Sequence, residues 1–535
     1  MSLVGLLIGS CAADSEPVIG PIMEAPTGFA YGPLVICESP VAGMNRFTEQ
    51  AAARGLDLVM PGTLVDGVWK GIGGHTVARD LDGDGDIDIA LGQSDGLPVL
   101  FENKGDGYFT RAAMLPAPPE FLKLEESTVL AAVDLSGDGL PELIVANHGV
   151  TVWDNLGELR FGEPESGKPL DNNSRDAVSF GDLDGDQDLD MVIVSGSAAA
   201  ENPPAHILLN TDGRLNSAGA LPSANGLGNS SMVVLFTDRD GDGDQDVLVP
   251  QLQGTAFFRN DGAGPAGLLD DASQIGADLR MPAMGLDSAD LNHDGLVDYC
   301  ITDIGPPRCL ISNRTPNGVH YSGAFAQSPF EPDDWPYPEF HASTIGWSMD
   351  FADFDNDGWV DVMQASAPDH GSGSTAKGYV DWPDLVWQGL PDGTFRDVTA
   401  ETGMGDPHPH YGLATADFDG DGALDVLVAG PGVRPSLYFN QCTAAGWLDV
   451  VFKGPAANSE GYGAIVSVQD ERGTQVRELY NSRATGQGPA RLHFGMGDDL
   501  SATRLEVRWP DGHVSVALSV PLRRLITVTH PDVGP

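Results

Sequence analysis

The side chains whose type and spacing could do chemistry are acids. A nine-residue frame, with an acid at the first, fifth and ninth positions and Asp, Asn or Ser at the third, occurs seven times. Those four positions are Asp80, Asp82, Asp84 and Asp88 in the first copy, and Asp134, Ser136, Asp138 and Glu142 in the second. They are Asp182, Asp184, Asp186 and Asp190 in the third, and Asp238, Asp240, Asp242 and Asp246 in the fourth. Asp290, Asn292, Asp294 and Asp298 form the fifth, Asp353, Asp355, Asp357 and Asp361 the sixth, and Asp417, Asp419, Asp421 and Asp425 the seventh. Oxygen donors at alternating positions of a tight loop converge on one point, and a hard cation with roughly six to eight oxygen ligands, Ca²⁺, suits them best. Up to seven Ca²⁺ ions are expected, held more weakly at the Asp134 and Asp290 copies, which have fewer carboxylates. Gly stands sixth in every copy except the third, where Gln187 makes the weakest turn.

Each frame lies between apolar, β-branched segments too short for helices, such as Val77-Ala78 before and Ile87 to Leu91 after the first, so each joins two strands. The frames start at 80, 134, 182, 238, 290, 353 and 417, a spacing of 48 to 64 residues that fits one four-stranded propeller blade. The predicted fold is all-β, a seven-bladed β-propeller followed by a small β-sandwich-like domain. The seventh blade runs out after Ser436 to Asn440, and the strand pattern of Arg46 to Ala51, which has no blade of its own, is expected to complete it. After Asn440 the frames stop and short alternating strands follow. The expected division is a signal segment over 1–11, a linker over 12–39, the propeller over 40–440 and the second domain over 441–535.

The frames resemble the integrin-type FG-GAP or VCBS repeat, which implies a calcium loop between the first two strands of each blade. Gly461-Tyr-Gly-Ala464, His493-Phe-Gly-Met-Gly497 and Val507-Arg-Trp-Pro-Asp-Gly512 resemble the ASPIC/UnbV domain. Together they resemble the cartilage-acidic-protein-like family of bacterial proteins. The apolar run Leu3 to Cys11 resembles a bacterial lipoprotein signal, with Ile8-Gly-Ser-Cys11 in the lipobox position, which implies secretion and a lipid anchor on Cys11.

With 78 acidic against 28 basic residues and a net charge of -50, the chain is a poor match for a phosphate backbone, and no nucleic-acid partner is expected. No internal run reaches the roughly 20 apolar residues of a membrane-spanning helix. Beside Cys11 there are four cysteines: Cys37, Cys300, Cys309 and Cys442. A turn between Cys300 and Cys309 sets them opposite one another, as a disulfide or as two small buried apolar side chains. No nucleophile elbow, zinc-protease helix or nucleotide fingerprint is present, so no catalytic residue is assigned. Long insertions on the face opposite the acidic loops collect Trp335, Tyr337, His341, His370, Trp382, His408 and His410. The expected function is that of an extracytoplasmic, calcium-binding adhesion module whose unknown protein or glycan ligand sits on that opposite face. The alternatives are an extracellular carbohydrate-active enzyme, and an envelope assembly factor acting through its C-terminal domain.

Overall fold

The computed structural model describes residues 25–534 apart from 45, 66–67, 71–73, 94–95, 118–128, 147–148, 165–175, 197–204, 223–230, 252–253, 282, 304, 317, 323–343, 369–382, 482–484 and 500. The candidate anchor Cys11, and Trp335, Tyr337, His341, His370 and Trp382, lie outside the described residues.

The described chain is all-β, with one four-residue α-helix, Thr399–Thr402, and two short 3-10 turns, Pro265–Gly267 and Ala456–Asn458. Seven sheets each hold one acidic frame. Their first strands are Thr76–Arg79, Val129–Val133, Ala177–Gly181, Leu235–Thr237, Leu286–Ala289, Thr344–Ala352 and Gly412–Ala416. In every sheet the frame follows the first strand, and its ninth-position acid opens an antiparallel second strand. A third and usually a fourth strand add on outward. First strands such as Val129–Val133 and Ala177–Gly181 are buried along their whole length. Apolar residues at consecutive positions therefore follow from burial on both faces rather than from helical periodicity. These inner strands pack against those of neighbouring sheets, and Gly412–Ala416 packs back on Thr76–Arg79. The fourth and fifth sheets are joined by the Thr237 hydroxyl, 2.7 Å from that of Tyr299. Thr48–Glu49 pairs with Ser436–Phe439, so the two ends of the ring share one sheet, as the sequence pattern predicted.

The C-terminal region is two four-stranded sheets. One orders Phe29–Tyr31, Arg524–Thr529, Gly446–Lys453 and Arg491–Gly497. The other orders Thr474–Glu478, Ile465–Gln469, Ser501–Arg508 and Val514–Pro521. Phe29–Tyr31 falls within the segment read as a linker; three residues carry too little periodicity to announce a strand, and its pairing with Arg524–Thr529 is set by a partner nearly 500 residues away. Cys37 is bonded to Cys442 and Cys300 to Cys309. One apolar core runs through both parts, joining Val133, Val178 and Phe180 of the ring to Leu448, Phe494 and Trp509.

Candidate metal centres and the domain that covers them

In all seven loops the first-position acid accepts the sixth-position N–H, with a second bond from the fourth-position N–H in five loops and from the fifth-position N–H in the loops of Asp290 and Asp353. In the first loop Asp80 accepts N–H groups from Gly83 at 2.8 Å and Gly85 at 3.0 Å. Asp182 and Asp417 accept the equivalent pairs in the third and seventh. Gly85 has φ 99° and Gln187, its counterpart in the third loop, φ 75°, so a side chain occupies a left-handed turn that glycine fills in the other copies. The ninth-position acid is clamped as well: Asp88 accepts from the N–H of Leu81 at 3.0 Å and of Asn103 at 2.8 Å.

These turns bring carboxylates together. The oxygens of Asp80, Asp82 and Asp88 lie within 4.8 Å of one another, as do those of Asp134, Asp138 and Glu142, of Asp182, Asp184 and Asp190, and of Asp238, Asp240 and Asp242. Asp84 and Asp186, expected as ligands, stand outside their loops' triads, and each accepts an N–H two residues on. Ser136 and Asn292 replace a carboxylate by weaker contacts, the first to Asp134 at 3.5 Å and the second to Asp294 at 3.2 Å. Asp353, Asp355, Asp357 and Asp361 occupy the sixth loop, where Asp353 accepts from the N–H of Asp357 and Gly358. Asp425 accepts from Phe418 and Asn440 in the seventh.

Two observations fit a cation. One buried oxygen of each of the third-position acids Asp184, Asp355 and Asp419 has no hydrogen-bond partner. Burial, reinforced by neighbouring carboxylates, pushes Asp88, Asp190 and Asp417 up to about 8 and Glu142 and Asp290 to about 7. Unaided by positive charge, such acids cannot all ionise near neutral pH. The acidic clusters can therefore hold metal ions. The fourth loop is different: Arg239, at a position filled by Leu or Phe elsewhere, is 3.3 Å from Asp246 and 2.7 Å from Asp271. Arg508 from the C-terminal region is 3.1 Å from Asp238.

The loops are braced from sheet to sheet by asparagine side chains. Asn103 donates its amide to Phe418 O and Ile87 O, Asn155 to Leu81 O and Pro141 O, and Asn260 to Leu183 O and Gln245 O. The available signal was their recurrence at the end of five of the seven third strands, Ser312 and Gly389 standing there in the fifth and sixth sheets.

The C-terminal region docks on this same acidic face, and its three signature strings make the contact. Arg79 at the edge of the first loop is paired with Glu460 and Tyr462. Ser459 donates to Asp134, and Glu460 accepts the Asp134 N–H at 3.2 Å. His493 is 2.6 Å from Asn356, and a Cβ on Gly495 would lie 1.9 Å from a carboxylate oxygen of Asp353, so only glycine allows this approach. From the third string, Arg508 reaches both Asp238 and Gly241 O, the latter at 2.8 Å.

Residues 478–481 and 485–487 then contact inner strands of the ring. Glu478 accepts from the Thr237 hydroxyl at 2.5 Å and the Asp238 N–H at 2.9 Å. Tyr480 reaches Ser288 at 3.4 Å. The Asn481 amide accepts from Phe180 N at 3.1 Å and donates to Phe180 O at 3.0 Å, and Gln487 does the same to Ala132, both at 2.7 Å. Gly486–Gln487 pairs parallel with Thr76–Val77, and Thr485 donates to Tyr411 O. Inner-strand edges facing a propeller's axis carry unpaired backbone groups, and these two amides supply a donor and an acceptor to each. The segment is an axial plug, contacting the inner strands or their immediate ends in six of the seven sheets.

On the other end of the ring, His408 is exposed and 2.5 Å from Asp406. His410 is fully buried, its Nδ1 2.7 Å from Asp384. No described helix is long and apolar enough to cross a membrane.

Comparison with known proteins bears on both parts. The ASPIC and UnbV family model matches residues 454–535, and the FG-GAP-like repeat model matches 80–145, 134–193 and 375–428. Cartilage acidic protein 1 of Xenopus tropicalis is 27% identical over 280 residues, covering 50% of this chain and 40% of that protein. The Mus musculus protein is 27% identical over 301 residues, covering 54% and 43%. The match thus spans less than half the length of these relatives. Among solved structures, an Agrocybe aegerita lectin described as recognising non-reducing terminal N-acetylglucosamine covers 68% of this chain and 92% of its own, at 17% identity and a TM-score of 0.40. BBS1N in complex with ARL6DN covers 72% and 97%, at 12% identity and a TM-score of 0.41. The chain therefore carries FG-GAP-like repeats and an ASPIC and UnbV domain, and over about half its length it is similar to cartilage acidic protein 1.

Proposed function

We propose that this chain is an extracytoplasmic adhesion-type module in which the seven frame-bearing sheets are propeller blades and their loops hold Ca²⁺. The ligands are the first-, third-, fifth- and ninth-position side chains of each frame, with weaker binding at the Asp134 and Asp290 loops. The propeller is taken as residues 40–440 and the C-terminal domain as 441–535, delivered by the 1–11 signal and tethered through Cys11. The observation that carries this reading is the set of buried third-position oxygens at Asp184, Asp355 and Asp419 that accept no hydrogen bond, the state a ligating oxygen is left in without its ion. Because the acidic face is covered by the chain's own C-terminal domain, an external protein or glycan ligand is assigned to the opposite face or the ring's rim. The experiment is native mass spectrometry of the full chain in Ca²⁺. Asp82→Ala should lose one ion, whereas an unchanged ion count would overturn the assignment of the first loop.

A further inference from the structure

A second kind of site lies on the C-terminal domain, away from the all-oxygen loops. Asp511, from the Trp-Pro-Asp-Gly turn, places its Oδ2 2.9 Å from His513 Nδ1 and 3.0 Å from His530 Nε2. The three ligand atoms all fall within 4.8 Å of one another. His530 is 1% exposed, and its Nε2 makes no hydrogen bond although Asp511 Oδ2 is 3.0 Å away. A buried imidazole nitrogen that passes close to a carboxylate oxygen without bonding to it is the arrangement left when both face a shared third atom. We propose that Asp511, His513 and His530 form a binding site for a late first-row divalent ion, of which Zn²⁺ is the probe.

The chemistry separates this site from the acidic loops. Ca²⁺ takes oxygen ligands, whereas two imidazole nitrogens with one carboxylate suit Zn²⁺ and its neighbours. Bonds of about 2.0–2.1 Å around a tetrahedral ion set donor atoms roughly 3.3 Å apart, so spacings of 2.9 and 3.0 Å need to open only slightly.

The donors are held by their surroundings. Gly512, at φ 85°, makes the turn, with its N–H on Trp509 O at 2.9 Å and the Trp509 N–H on His513 O at 2.9 Å. The Asp511 carboxylate is fixed by the His513 N–H at 3.1 Å. His530 stands edge-on to Trp509, ring centres 5.0 Å apart, and its backbone N–H bonds Lys453 O at 2.9 Å. The other nitrogen of His513 faces Asp532 at 3.9 Å, the position of the outer carboxylate that orients a ligating imidazole. Ligation through His530 Nε2 puts its proton on Nδ1, so the Asp532 N–H, now 3.2 Å from Nδ1, turns aside. Asp532 lies on an exposed turn that can give way. The remaining coordination positions open toward a cleft of about 300 Å³ between this domain and the third and fourth acidic loops, bordered by Gln187, Asp242 and Asp244. An ion here would also pin the end of the last strand to the neighbouring hairpin.

The test uses the full chain saturated with Ca²⁺, so that the acidic loops are filled, then exposed to micromolar Zn²⁺, desalted and analysed for metal. One Zn²⁺ per chain is expected, with Co²⁺ in its place giving a visible absorption of a nitrogen-containing site. His513→Ala, a change at an exposed turn, should abolish retention while leaving bound Ca²⁺ and the unfolding temperature in Ca²⁺ unchanged. Asp532→Ala should weaken retention without abolishing it. Absence of retained Zn²⁺ in the unaltered chain, or equal retention in His513→Ala, would overturn the site.

Discussion

Gln487→Ala isolates the plug. Its amide makes two hydrogen bonds to Ala132, each 2.7 Å long, and the residue is 1% exposed. At about 1 kcal/mol net for each bond, the loss is about 2 kcal/mol if water reaches the vacated space, and up to about 4 kcal/mol if the Ala132 N–H and C=O are left dry. In a chain of several cooperative parts a single unfolding temperature blurs such a local change, so the appropriate readout is amide exchange. A loss of about 2 kcal/mol corresponds to a roughly 30-fold rise in the local opening constant. Hydrogen–deuterium exchange followed by mass spectrometry should show that rise in peptides spanning Val129–Val133 and 485–487, with a smaller rise at Thr76–Arg79, to which Gly486–Gln487 is paired. The outer strand Phe109–Arg111 should exchange as before. Exchange at Val129–Val133 within twofold of the unaltered chain would refute the claim that the amide holds the plug in the ring.

Arg508→Met removes the guanidinium 3.1 Å from Asp238 and should tighten Ca²⁺ at the fourth loop by about 1.4- to fivefold, a partly exposed ion pair contributing about 0.2–1 kcal/mol; calorimetric titration showing weaker binding would contradict this. His75 is buried and its pKa is pushed down to about 4 by desolvation. Because the unfolded chain takes up a proton near pH 6.5 and the folded chain does not, this residue's contribution to stability is lost as pH falls from about 6.5 toward 4. His75→Gln should therefore show a shallower fall in stability than the unaltered chain over that window, and parallel curves would refute the assignment. Asn481→Ala should loosen Ala177–Gly181 as Gln487→Ala loosens Val129–Val133, read by the same exchange measurement.

What was legible in the sequence was local. Alternating acids with a left-handed glycine can form only a tight oxygen-lined turn, and apolar segments on either side of it had to be strands. The sharing of one sheet by Thr48–Glu49 and Ser436–Phe439 was also visible, because a strand pattern stood at one end and a gap at the other. What was not legible depends on surfaces meeting over long separations. Nothing within Val507 to Gly512 says that Arg508 will meet Asp238, 270 residues earlier. Likewise, Asn481 and Gln487 look like ordinary loop amides until inner-strand edges are placed beside them. The C-terminal signature strings were recognised as a pattern, but their physical reason, closing on the acidic loops of the same chain, required the assembled fold. His530 was missed for a similar reason: it joins Asp511 and His513 only through the path of the last strand.

The central claim is that the acidic loops bind Ca²⁺ beneath the C-terminal domain, so that the ions and the docked domain support one another. The most direct measurement is amide exchange across the loops and residues 455–497, combined with ion counting by native mass spectrometry, in Ca²⁺ and after chelation. The account predicts several bound ions, and on their removal faster exchange in the loops and in the docking strings and plug together. Few or no ions bound at millimolar Ca²⁺, with exchange at the domain contact unchanged by chelator, would contradict it.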